Sequence, residues 1–377
     1  MLFETYIFMS KLNENMNNQL KQIEGNNNSD LTIKNIFKIF RYCDYIAINY
    51  VISNETKFDI NMIYAHESLL SNACMEGHNE VVELLLTHKN IDVNINDTYE
   101  GTSPLYGACK NGHEEVVRLL LSHPAIEVNQ VNQVDQARTD FGPTPLYIAC
   151  LKGHKGVVQL LLAHAKTKVN QASTNIKGIT PLYIACLKGH KEVVRLLLAH
   201  AETKVNQATT DIHGITPLME VIIMGKNDVV RLLLAHAATK VNQARTDTGD
   251  TPLCIACYND REEAVRLLLS HSKIDVNKTN TYGETPIDIA CDNNLIGIVE
   301  LLLYDCRTIR TRPTDKEYAK VYDEALKNVK SIRRAKFRGL IRAAIVFRRM
   351  RFRAAKKVYA PGGAGFQAAS ESFNAAI

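Results

Sequence analysis

Two kinds of apolar block alternate through the middle of the chain, separated by polar stretches of nearly constant length. The first kind opens on Thr-Pro-Leu or a close variant. Thr144 to His154 reads Thr-Pro-Leu-Tyr-Ile-Ala-Cys-Leu-Lys-Gly-His, Thr180 to His190 repeats it, and a looser copy starts at Thr216. Pro104, Pro145, Pro181, Pro217, Pro252 and Pro286 mark the starts, with spacings of 41, 36, 36, 35 and 34 residues, and a proline-free copy begins near Ser68. The second kind runs Val81 to Leu86, Val116 to Leu121, Val157 to Leu162, Val193 to Leu198, Val229 to Leu234, Ala264 to Leu269 and Ile298 to Leu303. Seven copies stand in phase. One such unit cannot bury its own apolar face, so the period predicts a stack of equivalent units.

Each copy predicts two short antiparallel helices. Threonine ahead of proline is a helix start: the hydroxyl caps free N–H groups, and proline at the first helical position forfeits no needed donor. The following leucine and the Ala-Cys pair give the first helix an apolar stripe. Gly153 and Gly189 supply a left-handed residue that stops it. Asp260 and Asn294 take that place in later copies, as the residue types that tolerate the conformation next best. The second helix is apolar around most of its surface, as expected where neighbours cover both sides. A segment ending in Val-Asn, at Asn94, Asn129, Asn170, Asn206, Asn242 and Asn277, leads into a polar hairpin-like connection.

Together, Gly-x-Thr-Pro-Leu, Ala-x-x-x-Gly-His, Val-Val-x-Leu-Leu-Leu and Val-Asn resemble the ankyrin repeat over roughly residues 64–306. The resemblance implies an all-α solenoid of stacked helix-turn-helix units. The family's usual histidine after Pro-Leu is Tyr106, Tyr147, Tyr183, Met219, Cys254 and Asp288 here, and the connections run longer, most of all from Asn129 to Asp140. Residues 31–63 read as a degenerate N-terminal capping repeat, because a shift of 33 residues aligns Phe58-Asp59-Ile60-Asn61 with Ile91-Asp92-Val93-Asn94. Residues 1–30 read as a disordered polar leader, 314–359 as a basic helical segment and 360–377 as a flexible tail rich in Ala, Gly and Ser.

Composition adds exclusions. The 377 residues are 46% apolar and 23% charged, which rules out wholesale disorder, collagen and a disulfide mini-protein. No apolar run reaches the length of a membrane span, and the first ten residues lack the features of a secretory signal. Six of the nine cysteines (Cys74, Cys109, Cys150, Cys186, Cys257, Cys291) share one repeat position beside alanine, the place of a small buried hydrophobe. An odd cysteine total without a signal favours a reducing compartment, hence an intracellular, cytoplasmic protein, with the nucleus as an alternative through the basic segment. Cys254 and Cys257 form half a zinc motif with no second pair. His78, His113, His154 and His190 follow the turn glycine, and His88, His123, His164, His200, His236 and His271 follow the second helix. The resemblance implies that the first set bridges neighbouring turns. Nucleophile elbows, phosphate loops and zinc sets are absent, so neither an enzyme nor a cofactor is expected.

Charge is concentrated at one place. Residues 330–357 hold 12 Lys and Arg and no acid, leaving 33 basic and 40 acidic groups elsewhere. Thr314-Asp315-Lys316-Glu317 has the form of a capping box, so a helix should start there and carry Arg333, Arg334, Lys336, Arg338, Arg342, Arg348, Arg349, Arg351 and Arg353. It reads as a cap on the open end of the stack, as a helix for an acidic partner groove in the manner of calmodulin targets, or as an attachment to anionic membrane or nucleic acid.

The resemblance further implies a non-enzymatic scaffold or adaptor that binds a partner protein on a concave face. The hairpin tips would contribute Tyr99, Glu100, Phe141, Ile176, Lys177, Ile212, His213, Thr248, Asp250, Tyr282 and Glu284. The first helices would contribute Lys110, Asn111, Leu151, Lys152, Leu187, Lys188, Met224, Tyr258 and Asn259. Leu151, Leu187 and Tyr258 read either as an exposed apolar centre or, for the two leucines, as packing along the ridge. A substrate-recruiting adaptor of ubiquitin transfer is a further reading, although neither end of the chain carries an F-box-like segment.

Overall fold

Hydroxyl caps start the first helices as the Thr-Pro pattern requires. Ser103, Thr144, Thr180, Thr216 and Thr251 sit in extended backbone and accept the amide three residues on, each with proline next in the chain. The computed structural model describes residues 59–98, 101–132, 142–173, 178–308 and 319–332. It opens on a small antiparallel hairpin, β1 (Ile63–Tyr64) with β2 (Glu67–Ser68), turned by Ala65 and His66, both at positive φ. The first unit then holds six helix pairs: α1 (Leu69–Glu76) with α2 (Asn79–Leu86), α3 (Pro104–Asn111) with α4 (Glu114–Ser122), and α5 (Pro145–Lys152) with α6 (Lys155–Ala163). These continue as α7 (Pro181–Lys188) with α8 (Lys191–Ala199), α9 (Pro217–Ile223) with α10 (Asn227–Ala235), and α11 (Pro252–Tyr258) with α12 (Glu262–Ser270). First helices pack on first helices and second on second, copy after copy.

The core is the product of that order. Leu85, Leu120, Leu161, Leu197, Leu233 and Leu268 occupy one position of the second helix, and all are wholly buried. Each contributes about 1.5–3 kcal/mol by leaving water. The Ala-Cys pair lies where successive first helices meet, and Cys74, Cys109, Cys150, Cys186 and Cys257 are completely buried. Burial pushes the thiols of Cys74, Cys109, Cys150 and Cys186 well up, so they stay protonated and unreactive.

The turn between the helices is left-handed as the sequence suggests, at Gly153 (φ 80°) and equally at Asp260 (52°) and Asn294 (57°). Glycine has a second reason here. A Cβ on Gly153 would come within 2.7 Å of the His190 ring from the next copy.

Val-Asn proves to be a bridging motif. Asn170 donates to the Glu202 carbonyl (2.7 Å) and accepts the Lys204 amide (2.7 Å); Asn206 does the same with Ala238 and Lys240 (2.7 Å each). Asn94 and Asn129 repeat the pair, and Asn61 makes it upstream with Asn90 and Asp92. This asparagine ladder ties each loop after a second helix to the preceding copy.

The second unit holds α13 (Pro286–Asp292), α14 (Ile296–Tyr304) and the helix α15 at 319–332. Asp288, which stands where the family usually has histidine, completes a capping box with Thr285: its carboxylate accepts both the Thr285 amide (2.9 Å) and hydroxyl (2.5 Å). Helix α15 buries Ala319, Tyr322, Ala325 and Val329, a helical stripe, and Asn328 donates to Glu300 on α14 (2.6 Å). The basic run Arg333, Arg334, Lys336, Arg338, Arg342, Arg348, Arg349, Arg351 and Arg353 lies outside the described residues, as do the leader at 1–30, most of 31–63 and the tail at 360–377. Among the described residues, no helix is long and apolar enough to cross a membrane.

Candidate functional site

Two rows of side chains follow from the fold: the hairpin tips that precede the first helices, and the C-terminal ends of the first helices themselves. The tips are braced by threonines. Thr246 donates its amide to the His213 carbonyl (3.1 Å) and its hydroxyl to the Ile212 carbonyl (2.6 Å), and Thr281 bonds the Thr248 carbonyl with both groups. At this brace Asp247 gathers Arg245 (2.7 and 2.9 Å) and His213 (2.6 Å) from two consecutive tips. Partial burial works against its charge, yet the hydrogen bonds from Arg245, His213 and the Thr248 amide hold its carboxyl well below the usual range. Thr248 donates to Asp250 (2.5 Å), whose other oxygen accepts Asn280 (3.1 Å). His213, Thr248 and Asp250 are thus internal braces of the tips, whatever else they meet.

The ends of the first helices are tied by the turn histidines. His113 donates through Nε2 to the Met75 carbonyl (2.9 Å), His154 to Lys110 (3.2 Å) and His190 to Leu151 (3.1 Å). Arg261 replaces histidine in the sixth copy and donates to the Ile223 carbonyl (2.6 Å). The six histidines after the second helices act locally. Each accepts at Nδ1 the amide two residues on, as His88 does from Asn90 (3.2 Å), which closes the turn after the second helix.

Against this frame the candidate residues separate. Asn111 spends its amide on the Met75 carbonyl (2.7 Å) and Asn259 on its own helix at Ile255 (2.9 Å). Leu151 and Leu187 are half-buried, so packing along the ridge describes them better than an exposed apolar centre does. Lys110 and Glu284 are half-buried, and Lys152 and Lys188 stand exposed. Among the described residues, the large apolar side chains open to solvent in these rows of the first unit are Ile212 (77%), Tyr282 (75%), Tyr258 (71%) and Met224 (47%). Tyr99, Glu100, Phe141, Ile176 and Lys177 lie outside the described residues.

One pair escaped sequence reasoning. Glu220, at the place of Ile148 and Ile184, is buried and accepts the Tyr183 hydroxyl (2.7 Å). Burial, then the bond and the charge of Glu220, push the tyrosine up, so it remains a hydrogen-bond donor. A lone glutamate inside an apolar helix was the available signal. Among the described residues, no group of three or more His, Cys, Asp or Glu side chains is placed to hold a metal ion.

Comparison with known proteins adds the family. The model of ankyrin repeats (three copies) matches at residues 41–132, 126–209, 165–245, 205–280 and 238–312, more than half of the chain. The crystal structure of the human ASB11 ankyrin repeat domain is similar at 26% identity and a TM-score of 0.47, over 59% of this chain and 92% of that one. The crystal structure of the ankyrin repeat domain of Bcl-3 is similar at 22% identity and a TM-score of 0.55, over 63% of this chain and 98% of that one, a likeness of fold. No curated protein matches the chain. The cap, the glycine turn and the histidine bridge recur in phase where that family model matches, and the chain belongs to the ankyrin-repeat proteins.

Proposed function

We propose that the chain is a non-enzymatic scaffold or adaptor that binds a partner protein along its hairpin tips and first-helix ends. Ankyrin repeats generally mediate protein–protein interaction. The observation that carries the reading here is the exposure of Ile212, Met224, Tyr258 and Tyr282 on those two rows, while the neighbouring polar groups are already bonded within the array. Exposed aromatic and apolar side chains of this kind supply the centre of an interface, with Lys152 and Lys188 as its wet margin. The first helices and tips are held rigid by the histidine and threonine bridges, so binding orders little further.

A photocrosslinking residue placed at Tyr258 or Tyr282 tests it. Both should trap the same partner protein in cells, and the same group at exposed Gln159 on a second helix should not. Trapping from Gln159 alone would overturn the assignment of the face.

A further inference from the structure

We propose that the loops after the second helices form a separate docking surface, one that takes an extended acidic segment of a partner protein. An open groove of about 1030 Å³ runs between the loops around residues 203–207 and 237–243, lined by Lys204, Lys240 and Lys273. Lys166 and Lys168 continue it by register one copy earlier, and Glu202 is the one acid in the loops from His164, His200 and His236 to their Val-Asn segments. Among the described residues, no carboxylate lies within ion-pair distance of these five ammonium groups. Several exposed cations on the second helices are paired instead, Lys191 with Asp228 and Arg231 with Glu263.

The lysines are fixed at the backbone. Lys168, Lys204 and Lys240 each donate their amide to an asparagine of the copy before, at 2.7 Å every time. The stripe therefore repeats at the spacing of packed helices, about 8–10 Å. A polyproline II segment rises ~3.1 Å per residue with three residues per turn, so every third side chain returns to one face after about 9 Å. The occupant that fits carries an acid at every third position. By sequence the register is acidic in other copies (Asp92, Glu127, Asp275), which confines the lysine run to three copies and the occupant to about seven to nine residues. The groove lining has no aromatic side chain to stack a base and no arginine to grip phosphate, whereas Ala237 and Ala238 offer small apolar contacts. A peptide is favoured over a nucleic acid on that ground.

The test uses the full chain and two fluorescein-labelled nonapeptides of Glu, Pro and Ala in equal composition, one with Glu at every third position and one with the three Glu adjacent, read by anisotropy. The spaced peptide should bind more tightly. Joint Lys168→Gln, Lys204→Gln and Lys240→Gln should weaken it about tenfold, the sum of three exposed ion pairs, with helicity unchanged by circular dichroism. Lys→Arg at the same three positions should retain binding. The proposal is overturned by equal affinity for the two peptides, by no binding of the spaced peptide at about 1 mM, or by an unchanged affinity in the Gln variant. Equal weakening from Lys152→Gln with Lys188→Gln overturns it too. A single-stranded oligonucleotide that binds more tightly than the peptide and is lost in the same variant assigns the groove to nucleic acid instead.

Discussion

Leu197 and Lys188 stand nine positions apart with opposite environments, one wholly buried and the other exposed. Leu197→Ala should cost about 2–5 kcal/mol in urea denaturation; Lys188→Ala should stay within about 0.5 kcal/mol. Equal effects would contradict the phase of the repeat. Asp247 supplies a pH test. Its carboxyl titrates lower in the folded chain than in the unfolded one, so its contribution is complete above about pH 4 and fades as pH falls through the folded value. Asp247→Asn should therefore flatten part of the acid limb of a stability–pH curve and leave the neutral limb parallel. Side-chain roles that depend on type and period were legible beforehand: caps, the left-handed Asp260 and Asn294, and the small buried cysteines. Apart from the turn histidines, whose bridges the family resemblance implied, roles that depend on a partner one copy away were not. Asn206 and Asp247 look like ordinary loop polars until Lys240 and His213 are brought beside them.

Helices and their connections divide along the same line. The helix pairs could be read because proline, glycine and the leucine block punctuate every copy. The asparagine ladder could not, since both its bonds go to main-chain groups 32 and 34 residues ahead, which leave no trace in the side-chain pattern. Asn206→Ala should cost about 0.5–1.5 kcal/mol, the net worth of an exposed hydrogen bond, because water takes over the Lys240 amide and the Ala238 carbonyl. Hydrogen exchange at the Lys240 amide should quicken by more than exchange at Val230, inside α10, which the bridge does not touch. The candidate face was legible by register alone. Which of its members are open was decided by packing, which half-covers Leu151 and Leu187 but leaves Tyr258, at the same position, outside.

In the first unit, contacts run chiefly between adjacent copies, so stability should be a sum of copies and their interfaces and not one indivisible quantity. Leu197→Ala then has a local footprint: amides in α6 to α10 should lose exchange protection well before those of α1. Uniform loss over all six copies would show a single cooperative block. The stacking of the helix pairs in the first unit was legible from period, because a repeating apolar face is buried by its neighbours. The lysine groove was half legible: the residues repeat visibly, but that no carboxylate among the described residues pairs with them is a fact of three dimensions. The turn glycines carry a consequence for how such a chain changes length. Gly77, Gly112 and Gly153 each receive a histidine ring from the following copy, while Gly189 and Gly225 receive Lys226 and Arg261. Each seam is thus a lock whose two halves belong to different copies. A gene duplication of whole copies delivers both halves to the new seam, whereas a splice inside a copy parts them, so such an array can lengthen over generations only in whole steps.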